Sequence, residues 1–112
     1  MDDKQRFINQ ILPAAIEGYK KYNILPSLTL AQAVLESGWG SHHIENNLFG
    51  FKANKGWKGK VAKRKTKEWD GKRYITVSAN FRADDNFQDS VRDHNRLLGT
   101  TSRYSKVRVS KD

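Results

Sequence analysis

Apolar side chains at Phe7, Ile8, Ile11, Leu12, Ala15, Ile16 and Tyr19 recur at helical spacing, so the chain opens on a predicted amphipathic helix. Asp2 or Asp3 can cap it, and Pro13 inside the stripe is expected to kink or split it. Asn23 to Pro26 break the pattern. Ser27 then stands as an N-cap before a second helix, Leu28 to Glu36, whose apolar circumference predicts a central, buried element. Gly38 and Gly40 end it. A loop from Ser41 to Asn47 leads into the short apolar patch Leu48-Phe49-Gly50-Phe51. From Lys60 to Ala79 the pattern is that of a hairpin, with Asp70-Gly71 as a two-residue turn and a β-favouring run at Tyr74-Ile75-Thr76-Val77. That turn pairs Glu68 with Arg73, Thr66 with Ile75 and Arg64 with Val77, which puts Glu68 on one face with Thr66 and Ile75. A last helix follows Asn86, with Phe87, Val91, His94 and Leu98 in register and Gly99 as its stop.

A chain of 112 residues, 37% of them hydrophobic, predicts a single domain, 1–112, around one core. The absence of cysteine removes a disulfide framework and a Cys-based zinc site. No apolar run has the length of a membrane span, and Met1-Asp2-Asp3-Lys4 lacks the opening of a signal peptide. Work outside a cell therefore requires another component or a removed segment. Charge changes the picture more. Lys and Arg number 21 against 12 Asp and Glu, and eight of the nine excess positive charges fall between Lys52 and Arg73. Such a patch attracts nucleic acid, an anionic surface or an acidic polymer, while the plainer alternative is a solvated edge guarded by lysine.

Glu36 is the most informative single residue. It closes an apolar helix ahead of Ser37-Gly38-Trp39-Gly40, where partial desolvation suits a carboxyl to proton donation. The glycines allow a sharp turn and the close approach of a bulky polymer, and Trp39 offers a flat face for a sugar ring. The competing assignment is a surface glutamate, which the negative end of the helix dipole disfavours. His42 and His43 are adjacent and point apart, so they make a poor metal pair, and His94 belongs to a helix face; no metal and no cofactor are expected. Phe49, Phe51 and Phe81 suit a core, and Trp57 and Trp69 suit either packing or sugar contact.

The run Leu25-Pro26-Ser27-Leu28-Thr29-Leu30-Ala31-Gln32-Ala33-Val34-Leu35-Glu36-Ser37-Gly38-Trp39-Gly40 resembles the signature of the bacterial and phage glucosaminidases of glycoside hydrolase family 73. The resemblance continues through Asn47-Leu48-Phe49-Gly50-Phe51-Lys52, Trp57-Lys58-Gly59, Thr66-Lys67-Glu68, Ala79-Asn80-Phe81-Arg82 and Arg103-Tyr104. It implies a lysozyme-like α+β fold, mainly helical, with a small hairpin lobe as one wall of a cleft. It also implies hydrolysis of the β-1,4 link from N-acetylglucosamine to N-acetylmuramic acid in peptidoglycan glycan strands. By the same resemblance Glu36 is the general acid, Glu68 the base or stabiliser, and Tyr104 lines the cleft. Trp39, Asn47, Phe49, Trp57 and Arg73 are the expected substrate contacts. Two carboxyls in different surroundings suit glycoside hydrolysis, although the substrate acetamido group can act as the nucleophile, in which case Glu68 orients. The residue-level alternative for Glu68 is a weak cross-strand ion pair with Arg73.

Two features depart from the family pattern. Asp84-Asp85 follow Phe81-Arg82-Ala83 where an aromatic is common, and only eight residues follow Tyr104. Either the domain is a minimal version, or a larger assembly or further domain supplies its end. The expected setting is extracytoplasmic, at the cell wall or periplasm or delivered by phage, with an anionic cell wall as partner and no nucleic acid. The rival activities are a muramidase or lytic transglycosylase on the same glycan, and a non-catalytic cationic wall-binding module.

Overall fold

The computed structural model describes residues 2–54 and 56–101. Three helices, α1 (Asp3–Tyr22), α2 (Pro26–Ser37) and α3 (Phe87–Thr100), surround a core of Phe7, Ile11, Ala14, Ala33, Leu48 and Val91. Two strands, β1 (Val61–Trp69) and β2 (Tyr74–Arg82), form an antiparallel hairpin, so the α+β class holds. Among the described residues no helix is long and apolar enough to cross a membrane.

Asp2 caps α1, accepting from the Gln5 N–H at 2.7 Å. Pro13 does not split the helix, which runs unbroken from Asp3 to Tyr22. Proline removes one backbone donor, but Phe7 and Ile11 before it and Ala14 and Ala15 after it are buried, so both sides of the helix stay anchored in the core. The buried line is also rotated from the expected stripe: Gly18 is inside, whereas Ile16 and Tyr19 are exposed. The reason is α3, which packs on the small side of α1, with the buried Asn95 against Gly18.

The second helix starts two residues earlier than expected, with Leu25 at the cap and Pro26 in the first turn; Ser27 lies inside and caps nothing. It is not buried all round. Thr29, Ala33 and Ser37 face inward, while Leu35 is 80% exposed, because the described residues cover only one side of α2. Gly99 is likewise no stop, since α3 continues to Thr100. A Cβ at Gly99 would run into the Tyr22 ring, so this glycine serves a close α1–α3 crossing. The Asn86 side chain caps α3 through the Asp89 N–H at 2.8 Å.

The hairpin register slides by two residues. Glu68 faces Ile75, Thr66 faces Val77 and Arg64 faces Ala79. Asp70 is the cause: its Oδ1 accepts from the N–H groups of Lys72 and Arg73 at 2.8 and 2.9 Å, closing a loop from Asp70 to Arg73. Because the slide is even, the faces survive. Thr66, Glu68, Ile75 and Val77 remain on the half-buried side, and Lys63, Lys65 and Lys67 on the outer one. Segment 51–53 ties the hairpin to the helices, with Arg82 N–H bonded to Phe51 C=O at 2.9 Å and Ala53 N–H to Asn80 C=O at 2.8 Å.

Candidate active site

The turn after α2 explains the Glu-Ser-Gly-Trp-Gly run residue by residue. Ser37 is fully buried; its Oγ donates to Ala33 C=O at 2.6 Å and accepts from the Gly40 N–H at 2.9 Å. Gly38 takes the left-handed cap at φ 55°, and its N–H bonds Val34 C=O. Gly40 has φ 84°, and a Cβ there would sit 2.6 Å from the Phe7 ring. Between them Trp39 is itself left-handed at φ 62°, half exposed, with Lys4 Nζ 5.1 Å over its ring. This sharp reversal leaves Glu36 at the last outward position of the helix.

Glu36 stands on the seam of two hollows. One is walled by Gln32, Phe49, Phe51, His94, Leu97 and Leu98, the other by Ser41 to Ile44 and Asn47 to Gly50, and Phe49 contributes to both. Among the described residues Glu36 is exposed, not partly buried as expected, on the flank of α2 that they leave uncovered. Phe49 and Phe51 are only half-buried, unlike Phe81; they lean on His94, with the Phe49 ring stacked at 4.0 Å. Burial pushes the His94 imidazole down to about 4, a change the Asn95 hydrogen bond only partly opposes. A neutral ring therefore floors the first hollow.

Glu68 is half-buried on the inner face of the hairpin and pairs with Lys52, not with Arg73. The slid register accounts for this, since it moves Arg73 into the turn. Lys52 follows Phe51 directly, so the ion pair joins Glu68 to the segment that walls the Glu36 hollow. Asn47 is 1% exposed. Its Nδ2 donates to Phe51 and Arg82 carbonyls, both at 2.9 Å, so its amide pins the hollow's loop to the hairpin. Trp57 lies elsewhere, stacked under the Arg82 guanidinium at 4.7 Å and donating to Lys60 C=O at 2.8 Å. Tyr104 lies outside the described residues.

Two residues escaped the pattern. Gln32, one turn before Glu36, turns its Oε1 into the buried lining without an acceptor bond among the described residues. Asp84 shares a separate groove with Trp57, Asp85, Asp89 and Asp93. Its carboxyl is pushed up to about 7 by burial first, then by Asp93 and Asp89, against the pull of Arg82. The strongest carboxyl perturbation thus lies away from Glu36. Burial, with Asp93 and Asp89 close by, explains it without chemistry. The aspartates at 84, 85, 89 and 93 were the available signal.

Comparison with known proteins bears on this geometry. A glucosaminidase family model, described as mannosyl-glycoprotein endo-beta-N-acetylglucosaminidase, matches residues 12–112. The peptidoglycan hydrolase FlgJ of Vibrio parahaemolyticus is 37% identical over 109 residues, covering 92% of this chain and 35% of its own length. The exo-glucosaminidase LytG of Bacillus subtilis is 38% identical over 109 residues, 95% of this chain and 38% of its own. The chain therefore spans little more than a third of these curated relatives. A C-terminally truncated glycoside hydrolase domain of Salmonella typhimurium FlgJ superposes with a TM-score of 0.77 at 33% identity, over 95% of this chain and 74% of that one. With the family model spanning nearly all of its length and its motifs seated as described, the chain belongs to the glucosaminidases of glycoside hydrolase family 73.

Proposed function

We propose that this domain hydrolyses the glycan strands of peptidoglycan, cutting the β-1,4 bond from N-acetylglucosamine to N-acetylmuramic acid. The carrying observation is Glu36, presented by the Ser37–Gly40 turn on the seam between two hollows. A strand lying along that seam brings a glycosidic oxygen to the carboxyl, which donates its proton as the bond breaks. Glu68, with Lys52 as its counter-ion, is the second carboxylate in this scheme and stabilises the positive charge that develops on the sugar ring. Phe49 contacts sugar from both hollows, while Asn47 acts by fixing the loop. Tyr104 is assigned to the cleft on its motif alone. Trp39, Trp57 and Arg73 line neither hollow, and in this scheme they are outer contacts for a longer strand.

The cationic hairpin supports an anionic wall as the setting, outside the cytoplasm. Lys63, Lys65 and Lys67 occupy alternate positions on its outer face, about 7 Å apart, and the exposed Trp69–Tyr74 pair caps the tip at 5.2 Å between centroids. Digestion of purified peptidoglycan followed by analysis of the new chain ends tests the bond assignment. Reducing N-acetylglucosamine is the expected product. Reducing N-acetylmuramic acid would make the domain a muramidase, and anhydro-muramic ends a lytic transglycosylase.

A further inference from the structure

The outer face of the hairpin has an order that attraction to an anionic wall does not by itself require. Lys63, Lys65 and Lys67 stand at alternate positions of β1, about 7 Å apart, and all three are exposed. The register sets Asn80, Ser78 and Thr76 directly opposite them on β2, exposed as well. Each rung thus offers one cation and one short hydroxyl or amide. The Trp69–Tyr74 pair closes the row at the tip, its rings packed edge to face on each other. Among the described residues Lys63, Lys65 and Lys67 make no ion pair, whereas Lys52, Lys60 and Arg64 are held by Glu68, Asp85 and Glu45. By the alternation of the strand, the three lysines lie on the face turned away from Glu68.

A polyanion that fits this ladder repeats its charge at the lysine spacing and carries hydroxyls between charges. Three backbone bonds of an extended chain span about 3.5 Å, so a repeat of six bonds spans about 7 Å. Phosphates joined through the three carbons of a glycerol unit have that repeat, with one free hydroxyl in between. Single-stranded nucleic acid has the same number of backbone bonds between phosphates, but its bases call for aromatic platforms. No aromatic residue stands between Lys63 and Lys67 or between Thr76 and Asn80. We infer that the outer face of the hairpin is a docking track for a polyol-phosphate polymer of the cell wall, with phosphates on Lys63, Lys65 and Lys67 and polyol hydroxyls on Thr76, Ser78 and Asn80. The inference rests on the wall setting proposed above and gives the hairpin a partner other than the glycan strand assigned to the Glu36 seam.

The test is calorimetric binding of glycerol-phosphate oligomers, linked end to end and graded in length, over a series of salt concentrations. Affinity is expected to climb steeply up to about three repeats, one per lysine, with log Kd rising against log salt at a slope of about 2. Lys65→Gln should cost about fivefold near 0.1 M salt and lower that slope by about 0.7. Thr76→Val combined with Ser78→Ala should weaken the oligomers about fivefold and leave single-stranded DNA of equal phosphate number unaffected. No measurable binding, a slope that Lys65→Gln does not move, or DNA bound as tightly as the oligomers overturns the inference. So does a double variant that weakens both polymers equally. No cleavage enters the measurement: a chain that binds the oligomers but digests no peptidoglycan loses the hydrolase reading alone, and one that digests without binding loses the track alone.

Discussion

At the scale of single residues, the Ser37–Gly40 turn was legible because each position answers a backbone demand that residue type reveals: a tie, a left-handed cap, a close approach to Phe7. The exposure of Glu36 was not, since it depends on what covers α2 from outside the helix. Asp84 was illegible for a similar reason, as its environment exists only once β2 delivers it to the foot of α3. Its raised value gives a signed prediction. Between about 4 and about 7 the folded chain holds a proton that the unfolded chain has released, so the stability linked to Asp84 is lost as pH rises through that window. Asp84→Asn should therefore stabilise the chain at pH 8 relative to pH 5, by about 1–2 kcal/mol once solvent screening at a half-exposed site is allowed for. Urea unfolding at both pH values measures it, and an equal effect at the two would refute this account of Asp84. His94 works in the opposite sense: its lowered value makes stability fall as pH drops from 6.5 towards about 4.

At the scale of elements, the helices and the hairpin were visible in the periodicity, while their edges and faces followed partners that the pattern does not contain. Large residues at Ile16 and Tyr19 argued for one face of α1, but α3 chose the small one, where Gly18 admits Asn95. The hairpin register turned on one carboxylate, Asp70, whose hydrogen bonds to Lys72 and Arg73 also hold it below the usual carboxylate range. The continuity of α1 through Pro13 has a consequence for stability. Pro13 is exposed, so replacing it loses no packing and restores a backbone donor in mid-helix. Pro13→Ala should raise stability by about 1–3 kcal/mol, read as a higher Tm by circular dichroism. A lowered Tm would mean that the proline supplies a bend the helix packing uses.

For the whole molecule, the positive charge and the proposed general acid divide between lobes. The helices hold Glu36, and the hairpin and the segment before it carry most of the positive charge, with Glu68 and Lys52 at the join. Several of those cations are already engaged on the body side, Lys60 with Asp85 and Arg64 with Glu45. The outer lysines are the ones presented to an anionic polymer. Changing Lys63, Lys65 and Lys67 together to Gln should weaken sedimentation with insoluble walls at low salt and flatten its salt dependence. Unchanged salt dependence would return the lysines to a solubility role.

The central claim is that Glu36 is the group that protonates the leaving oxygen. Glu36→Gln keeps the shape of the side chain and removes the proton, and an exposed position makes the change harmless to folding. Release of reducing ends from purified peptidoglycan, measured beside the unfolding curve of the same preparation, should fall by about a hundredfold or more at unchanged Tm. A Glu36→Gln chain that still releases reducing ends at the wild-type rate would contradict the account.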